Sequence, residues 1–223
     1  MNEYRKQWND RQSEFQIALK SKKYYEAIEI CLLQHAIVHS GIMTENKFPS
    51  FEDELWNNLD DNTFRTLPQN GNYTIAWHIY HVTRIEDITM NYLVVEKDDL
   101  FKTENWQKKL NISFTDTGNA MDNNQVKKLS TDINIEELKA YRLEVGKKTR
   151  NIILSFKPDD IKRKVKADQI KKILDNGFVV KEASWLLDFW GRKNISGLLL
   201  IPVTRHNLVH LNDSEEIKKK LQK

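Results

Sequence analysis

Cysteine is nearly absent from this sequence: Cys31 is the only one in 223 residues, so no disulfide can close within the chain. That fits a reducing compartment, and a cytoplasmic location is expected. Glycine (7) and proline (4) are also scarce. So few breakers over this length favour long helices over a strand-and-turn fold. Long apolar runs are missing. The longest, Gly197 to Val203, is far short of the ~20 residues a membrane span needs. The segment Met1 to Arg11 is polar and lacks the apolar stretch of a signal peptide. There is no excess of one charge either. The net charge is +3, and lysines alternate with acids along most of the chain. The one dense basic run, Lys218 to Lys220, closes the last helical segment, where cations suit the helix dipole. Neither a membrane nor a nucleic acid is expected as a partner.

What is present suits one soluble domain spanning residues 1–223: hydrophobic residues make up 39% and charged residues 30%. Four long stretches have helical periodicity. Tyr4 to Ser40 reads as one long helix, with Gly41 as its stop. Within it Cys31 lies among Ile28, Ile30, Leu32 and Leu33, as a buried structural thiol would. Ser50 caps a short helix from Phe51 to Leu59, and Asp60 to Tyr73 reads as a loop. Thr74 to about Val95 is the second long helix. The pattern then weakens from Lys97 to Asn134, a long excursion of the kind that covers a site, with Trp106, Leu110 and Phe114 as anchors. Ile135 to Phe156 is the third long helix, ended by Pro158. One or two short helices follow before Gly177. The last helical region starts near Lys181, and Pro202 should kink it or start a new helix running to about Leu221. Trp185, Phe189 and Trp190 read as core. Four long helices without strand signals predict an all-α four-helix bundle with short inserted helices.

The chemistry is concentrated in histidine. His206 and His210 are four residues apart, which stacks both side chains on one helical face, where two imidazoles can converge on one metal ion. His81 on the second helix can meet them in the bundle core, giving three neutral nitrogens and an open position. His78, three residues earlier, competes for that role. His35 and His39 form another i, i+4 pair and read as the main rival or an accessory to the C-terminal pair. Arg84 and Arg205 are candidates to bind an anionic group or to pair with Glu86, Asp87 or Asp213. Glu86 reads either as an orienting partner for a ligand imidazole or as an ordinary helix charge.

The stretch Trp77-His78-Ile79-Tyr80-His81-Val82-Thr83-Arg84-Ile85-Glu86-Asp87, followed by Thr204-Arg205-His206-Asn207-Leu208-Val209-His210-Leu211-Asn212, resembles the DinB-like superfamily. The resemblance implies an up-down-down-up four-helix bundle, usually dimeric, with a three-histidine divalent-metal site that holds nickel or zinc. It places the ligands at His81, His206 and His210, with His78 as an extra histidine beside them. It also implies that a small thiol coordinates the metal in those members that are thiol-dependent transferases or isomerases.

Two classes of function follow. One is a metal-dependent enzyme that activates a small thiol (S-transferase) or water (hydrolase). Its partners would be a small-molecule substrate or thiol, and for a general base it has only Glu86, His78 and His35. The other is a non-catalytic, metal-stabilised dimer that acts in stress response or ligand binding. The two differ in whether a coordination position is left free for an exchangeable ligand.

Overall fold

The computed structural model describes residues 3–45, 49–69 and 71–222. These residues form helices and turns, with one isolated bridge between Lys164 and Asn194 and no strand among them. In order they are α1 (Glu3–Lys20), α2 (Tyr24–Val38), α3 (Phe51–Trp56), α4 (Asp61–Arg65), α5 (Ile75–Asp87), α6 (Leu100–Thr103), α7 (Trp106–Lys109), α8 (Asn123–Asp132), α9 (Ile135–Leu154), α10 (Ala167–Asp175), α11 (Trp185–Gly191), α12 (Ile195–Leu200) and α13 (His206–Leu221). A π-helical stretch, Ile88–Val94, prolongs α5, and another, Ile201–Arg205, joins α12 to α13.

The four bundle members are α2, α5, α9 and the α12–α13 rod. Their directions follow from which residues meet. Arg142 and Arg150 of α9 donate to the carbonyls of Val38 and Leu32, so α2 and α9 run antiparallel. His78 and His81 meet His210 and His206, so α5 and α13 also run antiparallel. The core divides into two clusters: the first contains Ile75–Tyr80 with Leu138–Val145, and the second contains Ile85–Val94 with Ile152 and Ile153. Helices α5 and α9 are therefore parallel, and the order is up-down-down-up. Two parallel neighbours need a long return, which α6, α7 and α8 supply.

The single helix expected over Tyr4–Ser40 is instead a hairpin. The chain reverses at Ser21–Lys23, with Lys22 in the left-handed region at φ 60°. The Lys23 and Lys22 N–H groups satisfy the carbonyls of Ala18 and Leu19, closing α1 without glycine. Helix α1 then lies back along α2, and Trp8 and Gln34 exchange hydrogen bonds between them. Three side-chain caps form, that of Ser50 where expected. Ser50 accepts from Asp53 N–H in a capping box, Thr74 accepts from Trp77 N–H, and Asn134 accepts from Glu137 N–H. The excursion from Lys97 to Asn134 is well packed, with Trp106 and Leu110 buried. Trp190 is buried as expected, but Trp185 is 56% exposed and does not belong to the core.

Helix α5 is the centre of the bundle: all of its residues are buried, including its charged ones. Pro202 neither breaks the last rod nor starts a new helix. Lacking an N–H, it sits in the wide π-turn, where Thr204 Oγ1 donates to the Leu199 and Leu200 carbonyls and Asn207 Nδ2 donates to that of Pro202. The turn leads straight into α13, where both histidines lie on the face toward α5.

Candidate metal centre

His81 sits midway along α5 with its ring stacked on Trp77 (centroids 4.5 Å apart, planes 9° apart). Trp77 is stacked in turn on Tyr73. His81 Nδ1 is 2.6 Å from the Thr117 carbonyl oxygen, so that nitrogen carries the proton and Nε2 is a bare lone pair. His81 Nε2 is 3.2 Å from His206 Nε2, which is 3.1 Å from His210 Nε2. The covering loop is thus part of the site. Besides the Thr117 carbonyl, it supplies the Gly118 carbonyl that accepts from Trp77 Nε1 and the Asp116 carbonyl that accepts from Tyr80 Oη.

The four imidazoles are held neutral. Burial lowers the pKa of His81 to about 4 and that of His78 to about 3, the latter helped by neighbouring His81. Burial and the facing histidines hold His206 and His210 below the usual range as well. Neutral imidazole is the form that binds metal.

The donor set fits a cation. Tetrahedral ligands about 2.0–2.1 Å from a metal lie about 3.3–3.4 Å from one another, close to the two separations observed. His206 Nε2 is either an N–H donor or a lone-pair acceptor, so it can make a good hydrogen bond to only one of its two neighbours. A cation at the convergence point serves all three nitrogens.

His78 does not share this point. Its Nδ1 is 2.7 Å from Nδ1 of His210, on the far side of that ring, and when His210 is the donor of this hydrogen bond its Nε2 is left free. The structure therefore brings together His81, His206 and His210 and places His78 behind them.

Other expected accessory residues lie elsewhere. Arg84 pairs with Asp87 at 3.5 Å, one of the partners expected, but inside the fold and not as an exposed anion site. It is 1% exposed, bound to Asp99 at 2.7 Å and to the Thr115 carbonyl, and stacked over Phe101. Its role is to brace the loop that carries Thr117. Asp87 accepts from Tyr141 Oη at 2.6 Å and from the Leu100 and Phe101 N–H groups. Arg205 is exposed and bonds to Asn9. Glu86 is not an ordinary helix charge. It is fully buried and bound by His35, His39 and Asn207. Cys31 is buried, and burial pushes its thiol pKa up, so it is inert.

The sequence pattern that defines the DinB superfamily matches residues 53–189. The chain belongs to the DinB superfamily. The DinB match includes His78 and His81 and ends before His206 and His210, which the fold itself brings to them. Among solved structures, the crystal structure of the conserved protein of locus from Enterococcus faecalis is similar. Its TM-score is 0.52 at 11% identity, over 92% of this chain and 98% of that one, a likeness of fold alone. No curated protein matches the chain.

Proposed function

We propose that the chain is a metal-dependent enzyme whose divalent ion, nickel or zinc, is held by His81, His206 and His210. Its co-substrate would be a small thiol or water. The observation that supports this reading is the convergence of three uncharged Nε2 atoms, two of the contacts at 3.1–3.2 Å, with the Thr117 carbonyl holding the His81 proton on the opposite nitrogen and His78 placed to accept that of His210. A bound divalent ion acts as a Lewis acid that lowers the pKa of a coordinated thiol or water toward neutrality. The chain's own residues supply the rest. Three protein donors leave a position for an exchangeable ligand, and His78 is turned away from it. Trp77 and Tyr73 form an aromatic wall that limits water at His81. The thiol-transferase form is preferred over the hydrolase form because, among the described residues, no buried carboxylate joins the three imidazoles to accept a proton from water.

The test is turnover. Protein purified without a polyhistidine tag and loaded with nickel or zinc is incubated with a panel of small thiols and an electrophilic dye. Conjugation above the uncatalysed rate is expected, and it should fall at least 100-fold in His206→Ala. Equal rates in wild type and variant would remove the enzyme reading and leave a metal-stabilised binding protein.

A further inference from the structure

A second polar cluster lies further along α5. Glu86 is five residues beyond His81, about 7.5 Å along the helix axis. Its Oε1 is 2.9 Å from His35 Nε2 and its Oε2 is 2.9 Å from His39 Nε2. His35 and His39 are one turn apart at the end of α2, with ring centroids 4.2 Å apart. Their exposures are 0% and 1%, and that of Glu86 is 0%.

A carboxylate this deep calls for opposite charge. Its ion-pair partners among the described residues are these two imidazoles alone. Arg142, on the neighbouring α9, gives its guanidinium to Glu52, Asn207 and the Val38 carbonyl. Asn207 Nδ2 adds one neutral hydrogen bond to Glu86 Oε2 at 2.9 Å. Each imidazole spends one nitrogen on the carboxylate, and its Nδ1 has no hydrogen-bond partner. Two histidines at i, i+4 with one carboxylate, all donor atoms within 4.8 Å of one another, are a donor set for a first-row divalent cation. Room for the His39 ring is kept by Gly146, where a Cβ would come within 2.8 Å of Nδ1.

We propose that His35, His39 and Glu86 form a second divalent-cation site, distinct from the three-histidine site, that ties α2 to α5. On binding, each imidazole gives up its hydrogen bond to Glu86 and presents a bare Nε2 to the ion, with a proton on Nδ1. Glu86 exchanges two hydrogen bonds for the cation and keeps that from Asn207.

The experiment is a stoichiometric zinc titration of tag-free, chelator-stripped full-length protein, read by mass spectrometry of bound metal after desalting. Wild type should hold two equivalents. A His206→Ala/His210→Ala variant should hold one, and its Tm should still rise on adding zinc. Glu86→Gln, which keeps the shape and one acceptor, should also hold one. Circular dichroism establishes that each variant is folded. One equivalent in wild type that vanishes in His206→Ala/His210→Ala overturns the second site and leaves the proposed function intact. One equivalent that survives there but vanishes in Glu86→Gln supports the second site and overturns the first. Two equivalents in Glu86→Gln, or none in wild type, overturn the proposal.

Discussion

His78 and His81 are three residues apart, yet their nitrogens face different things. His81 turns Nε2 to the convergence point, whereas His78 turns Nδ1 to the back of His210. Losing such a supporting partner costs about 10- to 100-fold in metal affinity. His78→Ala should therefore weaken zinc binding by about that factor without abolishing it, read by competition with a chromogenic chelator. Complete loss would make His78 a ligand. Gly146 gives a second residue-level prediction. Alanine there would gain about 1 kcal/mol of helix propensity. Its Cβ, however, would meet Met43 Sδ at 2.6 Å and His39 Nδ1 at 2.8 Å, and overpacking costs about 1–3 kcal/mol. Met43 can move, but His39 is held on Glu86, so the net change should be a loss of about 1 kcal/mol in denaturant unfolding. That His206 and His210 share one face was legible in their i, i+4 spacing, whereas His81 rather than His78 came from the family resemblance and not from spacing. The Thr117 carbonyl was not legible, since a backbone acceptor leaves no mark in residue type.

Element boundaries followed the periodicity where breakers or caps mark them, as at Ser50, Thr74 and Asn134. The reversal at Lys22 was illegible because its left-handed turn uses lysine, and α1 and α2 keep nearly the same periodicity on either side. The π-turn at Pro202 was half legible: proline announces a disturbance, but the side chains that satisfy the freed carbonyls decide its form. Asn207 is the chief of these. It donates to Glu86 and to the Pro202 carbonyl and accepts from Arg142, joining α13 to α5 and α9. Asn207→Ala strands those buried groups and should cost on the order of 3 kcal/mol. Asn207→Asp sets a second carboxylate against Glu86 and should cost more, a ranking read from urea midpoints. The reverse order would place Glu86 in its protonated form.

For the molecule as a whole, the distinctive feature is charge chemistry inside the bundle. The full burial of α5 was not legible, because Arg84, Glu86 and Asp87 read as solvent-facing until their partners arrive from distant segments. Buried neutral histidines make the fold acid-sensitive. Burial lowers His39 and His78 to about 3 and His81 to about 4. The unfolded chain protonates them at about 6.5, so between those limits it binds more protons than the native state. Their contribution is intact above about pH 6.5 and is lost as pH falls toward 4, at about 1 kcal/mol per pH unit for each. Metal-free protein should therefore lose on the order of 3 kcal/mol between pH 6.5 and 5.5, measured by urea unfolding. A flat profile would mean that these histidines are already protonated in the fold. The central claim, that His81, His206 and His210 share one ion, is tested most directly by anomalous X-ray scattering from crystals of metal-loaded protein. Data collected above and below the zinc or nickel absorption edge should give a difference peak at the convergence of the three Nε2 atoms. Fully metal-loaded crystals with no peak there would contradict it.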